Sequence, residues 1–115
     1  MWGAEEIWFK RLNGESLDYF PEPGNDFSAF TKQFSSRSQS YIDLVKAKDE
    51  KYFTELCNYK AVAGNPFTNP RWEMIHHCMN HSTYHRGQIV TILREVGVTT
   101  IPSTDLITYL RENNK

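Results

Sequence analysis

Apolar residues along the chain fall into four stretches of helical period, separated by turn-rich segments. Over residues 1–12, Trp2, Ile7, Trp8, Phe9 and Leu12 recur near every 3.6 positions, and Asn13-Gly14 supplies the stop. No Ser, Thr, Asp or Asn precedes the first apolar position, so this helix is predicted to open uncapped, as though its beginning were cut off. Pro21, Pro23 and Gly24 make residues 15–25 a loop. Asn25 or Asp26 then caps a second helix running to about residue 48, with Phe27, Phe30, Phe34, Tyr41, Leu44 and Val45 in near-heptad spacing and a serine-rich middle that lowers propensity. Residues 51–67 mix alternation with Gly64-Asn65-Pro66 and read equally as a short hairpin or an irregular crossing segment. The longest element is predicted over 70–96, with Asn69 as N-cap, Pro70 at the first helical position and Gly97 just past the end. At 1.5 Å per residue it runs roughly 40 Å, the length of a bundle's spine. A last short helix begins at Ser103 or Thr104, after Pro102, and carries Leu106, Ile107 and Leu110. The pattern predicts an all-α class and one domain over residues 1–115, without internal repeats.

Composition narrows the function classes. A chain of 115 residues, 39% hydrophobic and 14% aromatic, is one domain's worth with material for a core. Its net charge of -1 gives no basic excess to attract phosphate backbones, which argues against nucleic acid as a partner. Two cysteines, Cys57 and Cys78, form no CxxC, so neither a disulfide framework nor a zinc knuckle is expected, and a reducing cytoplasm suits the chain. No signal-peptide pattern and no run of 18 apolar residues is present, so no membrane association is expected.

The chemistry concentrates in the long helix. All four histidines, His76, His77, His81 and His85, lie there within ten residues. Trp72, Met74, Cys78, Met79, Ile89, Val90, Ile92, Leu93 and Val96 fill an apolar arc of its helical wheel, and His81 and His85 fall at the edge of that arc. His76 and His77 fall outside it and are expected to be exposed. Histidines at i and i+4 present their ring nitrogens side by side, a spacing that one divalent transition ion bridges, with a third ligand from another helix. The alternative reading is a half-buried, hydrogen-bonded pair. Between them stand Ser82, Thr83 and Tyr84, so the HExxH arrangement of metalloproteases is absent. Arg86 also falls inside the apolar arc, where a cation needs a partner; a buried ion pair or a dimer contact is favoured over substrate binding. Gly87 in mid-helix predicts a close packing neighbour. Cys78 reads as a small core residue rather than a nucleophile, and Trp2, Trp8 and Trp72 as core.

The stretch HHCMNHSTYHRGQI (76–89), followed by LREVG and IPSTDLITYL, resembles the DinB family of DNA-damage-inducible-like proteins. NHSTYHRGQ (80–88) is the specific part, and MWGAEEIWFKRLNGES (1–16) looks like the family's second helix and the turn after it. The resemblance implies an up-down-down-up four-helix bundle, often homodimeric, in which three histidines hold a divalent ion such as nickel or zinc. Related members are metal-dependent enzymes that transfer a low-molecular-weight thiol to an electrophile. Carried over by position, the family's HxxxH pair falls on His81 and His85. Its third ligand would fall immediately before Met1, so the chain reads as N-terminally truncated, lacking the first helix and the start of the second. Glu5 or Glu6 is a substitute carboxylate ligand by this reading, and association of copies would cover the groove of the missing helix. Two functions stay open: a metal-dependent thiol transferase using His81 and His85, or a non-catalytic oligomerising bundle with an incomplete metal site.

Overall fold

The structure is a computed structural model that describes residues 1–114. Helix α1 (Trp2–Leu12) opens at Met1 without a side-chain cap, as its sequence predicts. It stops where the Asn13 amide donates back to the carbonyls of Phe9 and Lys10 and Gly14 turns left-handed, at φ 84°. Of the two expected caps for α2 (Phe27–Ala47), Asp26 serves: its Oδ1 accepts the Ala29 N–H at 3.1 Å. A short helix α3 (Glu50–Thr54) follows, capped by Asp49 through the Tyr52 N–H.

The segment that periodicity left undecided is a hairpin. Strands β1 (Leu56–Lys60) and β2 (Pro66–Pro70) pair antiparallel, with Leu56 opposite Pro70 and Lys60 opposite Pro66. Cys57 and Tyr59 turn inward while Asn58 and Lys60 stay exposed, the period-2 signature of a strand with one covered face. The chain is therefore mainly helical, as its periodicity predicts, with one two-stranded sheet added to the all-α expectation in the segment left undecided.

The hairpin also corrects the start of the long helix, α4 (Arg71–Glu95). Asn69 and Pro70 belong to β2 rather than to a cap and first turn. Asn69 stands opposite Cys57 in the ladder, and its carboxamide accepts from the Tyr59 hydroxyl at 2.8 Å and donates to Glu73 at 2.8 Å. The other end is as predicted: Gly97, at φ 88°, closes α4. Helix α5 (Leu106–Asn113) begins at Asp105, later than the expected Ser103 or Thr104, because the Ser103 hydroxyl accepts the Asp105 N–H and so sits in a turn ahead of the helix.

Residues 1–79 form one compact unit and the chain from Asn80 a second. The core of the first gathers Leu12, Tyr41, Cys57, Met74 and Cys78, with Trp8, Phe9, Leu44, Tyr59 and Ile75 packed against it. Tyr41 ties α2 to its neighbours: its hydroxyl donates to the Glu5 carbonyl at 2.9 Å and lies 3.6 Å from Cys78 Sγ. Desolvation by burial, with Cys78 beside it, pushes the Tyr41 phenol far above its ordinary range, so it acts as a neutral donor. Not every predicted apolar position is covered. Phe27 and Val45 on α2 are exposed, and of the three tryptophans Trp2 is buried, Trp8 half-buried and Trp72 exposed against His76.

In the second unit α4 continues to Glu95 and α5 carries Leu106, Ile107 and Leu110, all three exposed. Gly87 corrects another expectation: a Cβ added there would meet nothing within 4 Å, so no packed neighbour among the described residues explains it.

Candidate metal centre

His81 and His85 stand one turn apart on α4, both half-buried, while His76 and His77 are exposed, as the helical wheel predicts. The two rings meet edge to face, with centroids 4.5 Å apart, and their Nε2 atoms are 2.9 Å apart. Behind His85, Nδ1 lies 2.7 Å from Gln88 Oε1. A carboxamide oxygen accepts only, so this contact places the proton on Nδ1 and leaves a lone pair on His85 Nε2. The Gln88 amide is itself oriented, since its Nε2 donates to the Tyr84 hydroxyl at 3.1 Å. The Tyr84 ring packs edge-on against His85 at 5.3 Å. Tyr84 and Gln88 thus form an outer layer that fixes one ring and its tautomer, the arrangement that supports histidine ligands.

The donor set fits a divalent transition ion as two of its ligands. Two nitrogens each about 2.1 Å from one ion stand about 3.0 Å apart at a right angle and about 3.4 Å apart at a tetrahedral one, so the 2.9 Å spacing of this pair is nearer the right-angled case. Imidazole nitrogen suits nickel, zinc and copper. Among the described residues no group of three His, Cys, Asp or Glu side chains is placed to hold an ion.

Glu5 and Glu6, the expected substitute ligands, are both engaged within residues 1–79. Glu5 is buried and its Oε2 accepts from the Ser38 hydroxyl at 2.8 Å; desolvation raises its pKa above the usual carboxylate value, partly offset by that hydrogen bond. Glu6 takes both Arg37 donors, Nε at 2.6 Å and Nη2 at 3.0 Å, in a bidentate pair. Of the two roles expected for Arg86, the ion pair is not made within the described residues. Arg86 is half-buried and donates to the Thr83 hydroxyl at 2.8 Å. The hydroxyl lies one turn back on the same helix and takes one of the guanidinium's five donors. Cys78 is buried, and its thiol is pushed up to about 11 by burial, against the lowering influence of the Tyr41 hydrogen bond. It is a neutral core residue at physiological pH.

Periodicity pointed to His81 and His85 but not to Tyr84 and Gln88. The available signal was their spacing: Gln88 at i+3 from His85 and at i+4 from Tyr84, the separations at which helix side chains meet. No helix among the described residues is long and apolar enough to cross a membrane.

Comparison with known proteins agrees with the resemblance carried by the histidine helix. No curated protein and no solved structure matches the chain. The sequence profile of the DinB family matches residues 1–114, essentially the whole chain, and the chain belongs to that family.

Proposed function

We propose that this chain is a metal-dependent DinB protein of the thiol-transferase type, working in the cytoplasm on a small thiol and an electrophile. The single observation that carries this reading is the facing Nε2 pair of His81 and His85, 2.9 Å apart with His85 oriented from behind by Gln88. These two residues would hold nickel or zinc through Nε2. When bound, such an ion supplies Lewis acidity that lowers the pKa of a thiol and makes thiolate available at neutral pH. Gln88 keeps the His85 proton on Nδ1, and Tyr84 keeps Gln88 in place. Within the pair His81 Nε2 donates to the His85 Nε2 lone pair, so an ion held through both nitrogens would require His81 to carry its proton on Nδ1 instead. The four-helix bundle and the homodimer implied by the family belong to the same proposal.

Calorimetric titration of the chelator-stripped chain with nickel and with zinc tests it. Stoichiometric, submicromolar binding that the His81→Ala plus His85→Ala variant abolishes is the expected result. Weak binding, equal in both proteins, would remove the enzyme reading.

A second reading, a non-catalytic oligomerising protein, is favoured by a different observation. Ile89, Ile92 and Val96 make an exposed stripe at helical spacing on α4, and Leu106, Ile107 and Leu110 an exposed cluster on α5. Sedimentation separates the oligomer from a monomer: a chain that stays monomeric at high concentration excludes this reading and the homodimer together.

A further inference from the structure

The unit formed by residues 1–79 contains a cleft that the histidine pair does not use. It measures about 400 Å³ and is lined by Trp8, Tyr59, Asn69, Glu73, Met74 and His77, within the range of small-molecule sites, roughly 300 to 1,000 Å³. Its walls are flat and apolar. Trp8 meets Tyr59 edge to face at 5.3 Å and His77 at 4.9 Å, and Met74 is buried beneath.

Its polar side is a fixed relay. The Tyr59 hydroxyl donates to Asn69 Oδ1 at 2.8 Å, and Asn69 Nδ2 donates to Glu73 Oε2 at 2.8 Å. The relay runs from β1 through β2 to α4, so the hairpin holds one oxygen of the carboxylate and leaves Glu73 Oε1 without a partner among the described residues. Burial raises the Tyr59 pKa despite the Arg11 charge nearby, which keeps the phenol a donor at the head of the relay. Glu73 and His77 are four residues apart and share one face of α4.

Charge selects the ligand. Glu73 brings the cleft's formal negative charge, and no Lys or Arg among the described residues lines it. The Arg11 guanidinium already lies over Trp8 at 4.4 Å and Tyr59 at 5.2 Å. The rings therefore act as apolar walls, and recognition of a ligand cation falls to Glu73. We propose that this cleft binds a small organic ammonium ion with a flat apolar body, its N–H donating to Glu73 Oε1 and its body lying against the Trp8 and His77 rings. The site is independent of the metal reading.

The test follows the Trp8 indole N–H resonance by NMR, assigned through Trp8→Phe, while benzylammonium, benzyl alcohol or benzoate is added to the full chain. A saturable shift with benzylammonium is expected, with benzyl alcohol at least about tenfold weaker, since it lacks the charge-assisted bond, and benzoate weaker still. Glu73→Gln should weaken benzylammonium binding by about tenfold or more and leave binding of the alcohol unchanged. Equal binding of ammonium and alcohol, preference for benzoate, an indifferent Glu73→Gln or no saturable shift would each overturn the proposal. The ligand series on the unsubstituted chain decides the matter even if Glu73→Gln fails to fold.

Discussion

Met74 and Cys78, in the first half of α4, are 1% and 0% exposed, whereas Ile89, Ile92 and Val96 in its second half are 42%, 56% and 71% exposed. Both halves carry apolar residues at helical spacing. What differs is the material laid over them. Within residues 1–79, Leu12 of α1, Tyr41 of α2 and Cys57 of β1 close over Met74 and Cys78. Within the second unit the apolar residues of α5, Leu106, Ile107 and Leu110, are themselves exposed. A helical period reports that a face is apolar; only the tertiary contacts decide whether it is a core or an uncovered surface.

The largest expected effect follows directly. Met74→Ala should lower unfolding free energy by about 3 kcal/mol, since it removes a fully packed side chain and leaves a cavity. Ile92→Ala should cost less than about 1 kcal/mol, because its side chain is already in water. Urea titration of the two variants checks this. Comparable losses would mean that the second half of α4 is covered after all, and the contrast between the halves would fail.

How much of this was legible depends on the reach of each signal. The ends of α1, the Asp26 cap and the Gly97 stop were readable because each depends on a few neighbouring residues. The hairpin was not decided, because Leu56–Lys60 pairs with Pro66–Pro70 through a ladder that neither segment announces alone. The same ladder took Asn69 and Pro70 away from α4, although Asn-Pro ahead of an apolar period is a sound helix-start signal. At the candidate site the histidine spacing survived because it is internal to one helix. The ion-pair half of the Arg86 expectation is not met within the described residues, because a wheel assigns a direction and no partner, and the contact made is with Thr83 one turn back. The Glu73 cleft was invisible in the sequence, since its walls come from α1, the hairpin and α4.

A second test sharpens the account of the well-covered unit through its buried carboxylate. The pKa of Glu5 is raised in the fold, chiefly by desolvation. The folded chain therefore holds that proton to higher pH than the unfolded chain does, and this group's contribution to stability falls as pH rises from its ordinary value of 4.5 through the raised one. The penalty is complete above the raised pKa and absent well below 4.5. Glu5→Gln keeps an oxygen to accept from Ser38 and removes the charge, so it should stabilise the chain at pH 7 and not at pH 4. Urea midpoints of both proteins at the two pH values check this. A difference that does not change with pH would show that Glu5 stays solvated.

The smallest expected effect belongs to the open half of α4 and has the opposite sign from truncating its core. Gly87 is helical, and a Cβ there meets nothing within 4 Å. Glycine in a helix interior costs about 0.5–1 kcal/mol relative to alanine through backbone entropy, and a residue without a packed neighbour recovers none of that cost through close approach. Gly87→Ala should therefore raise stability by up to about 1 kcal/mol, read as a higher urea midpoint with an unchanged slope. In the covered half an added methyl would meet packed side chains and be penalised; in the open half it gains helix propensity at no steric expense. If Gly87→Ala instead destabilises, or dissociates an oligomer seen by sedimentation, something sits against that face in solution, and Gly87 is where a second copy of the chain makes its close approach.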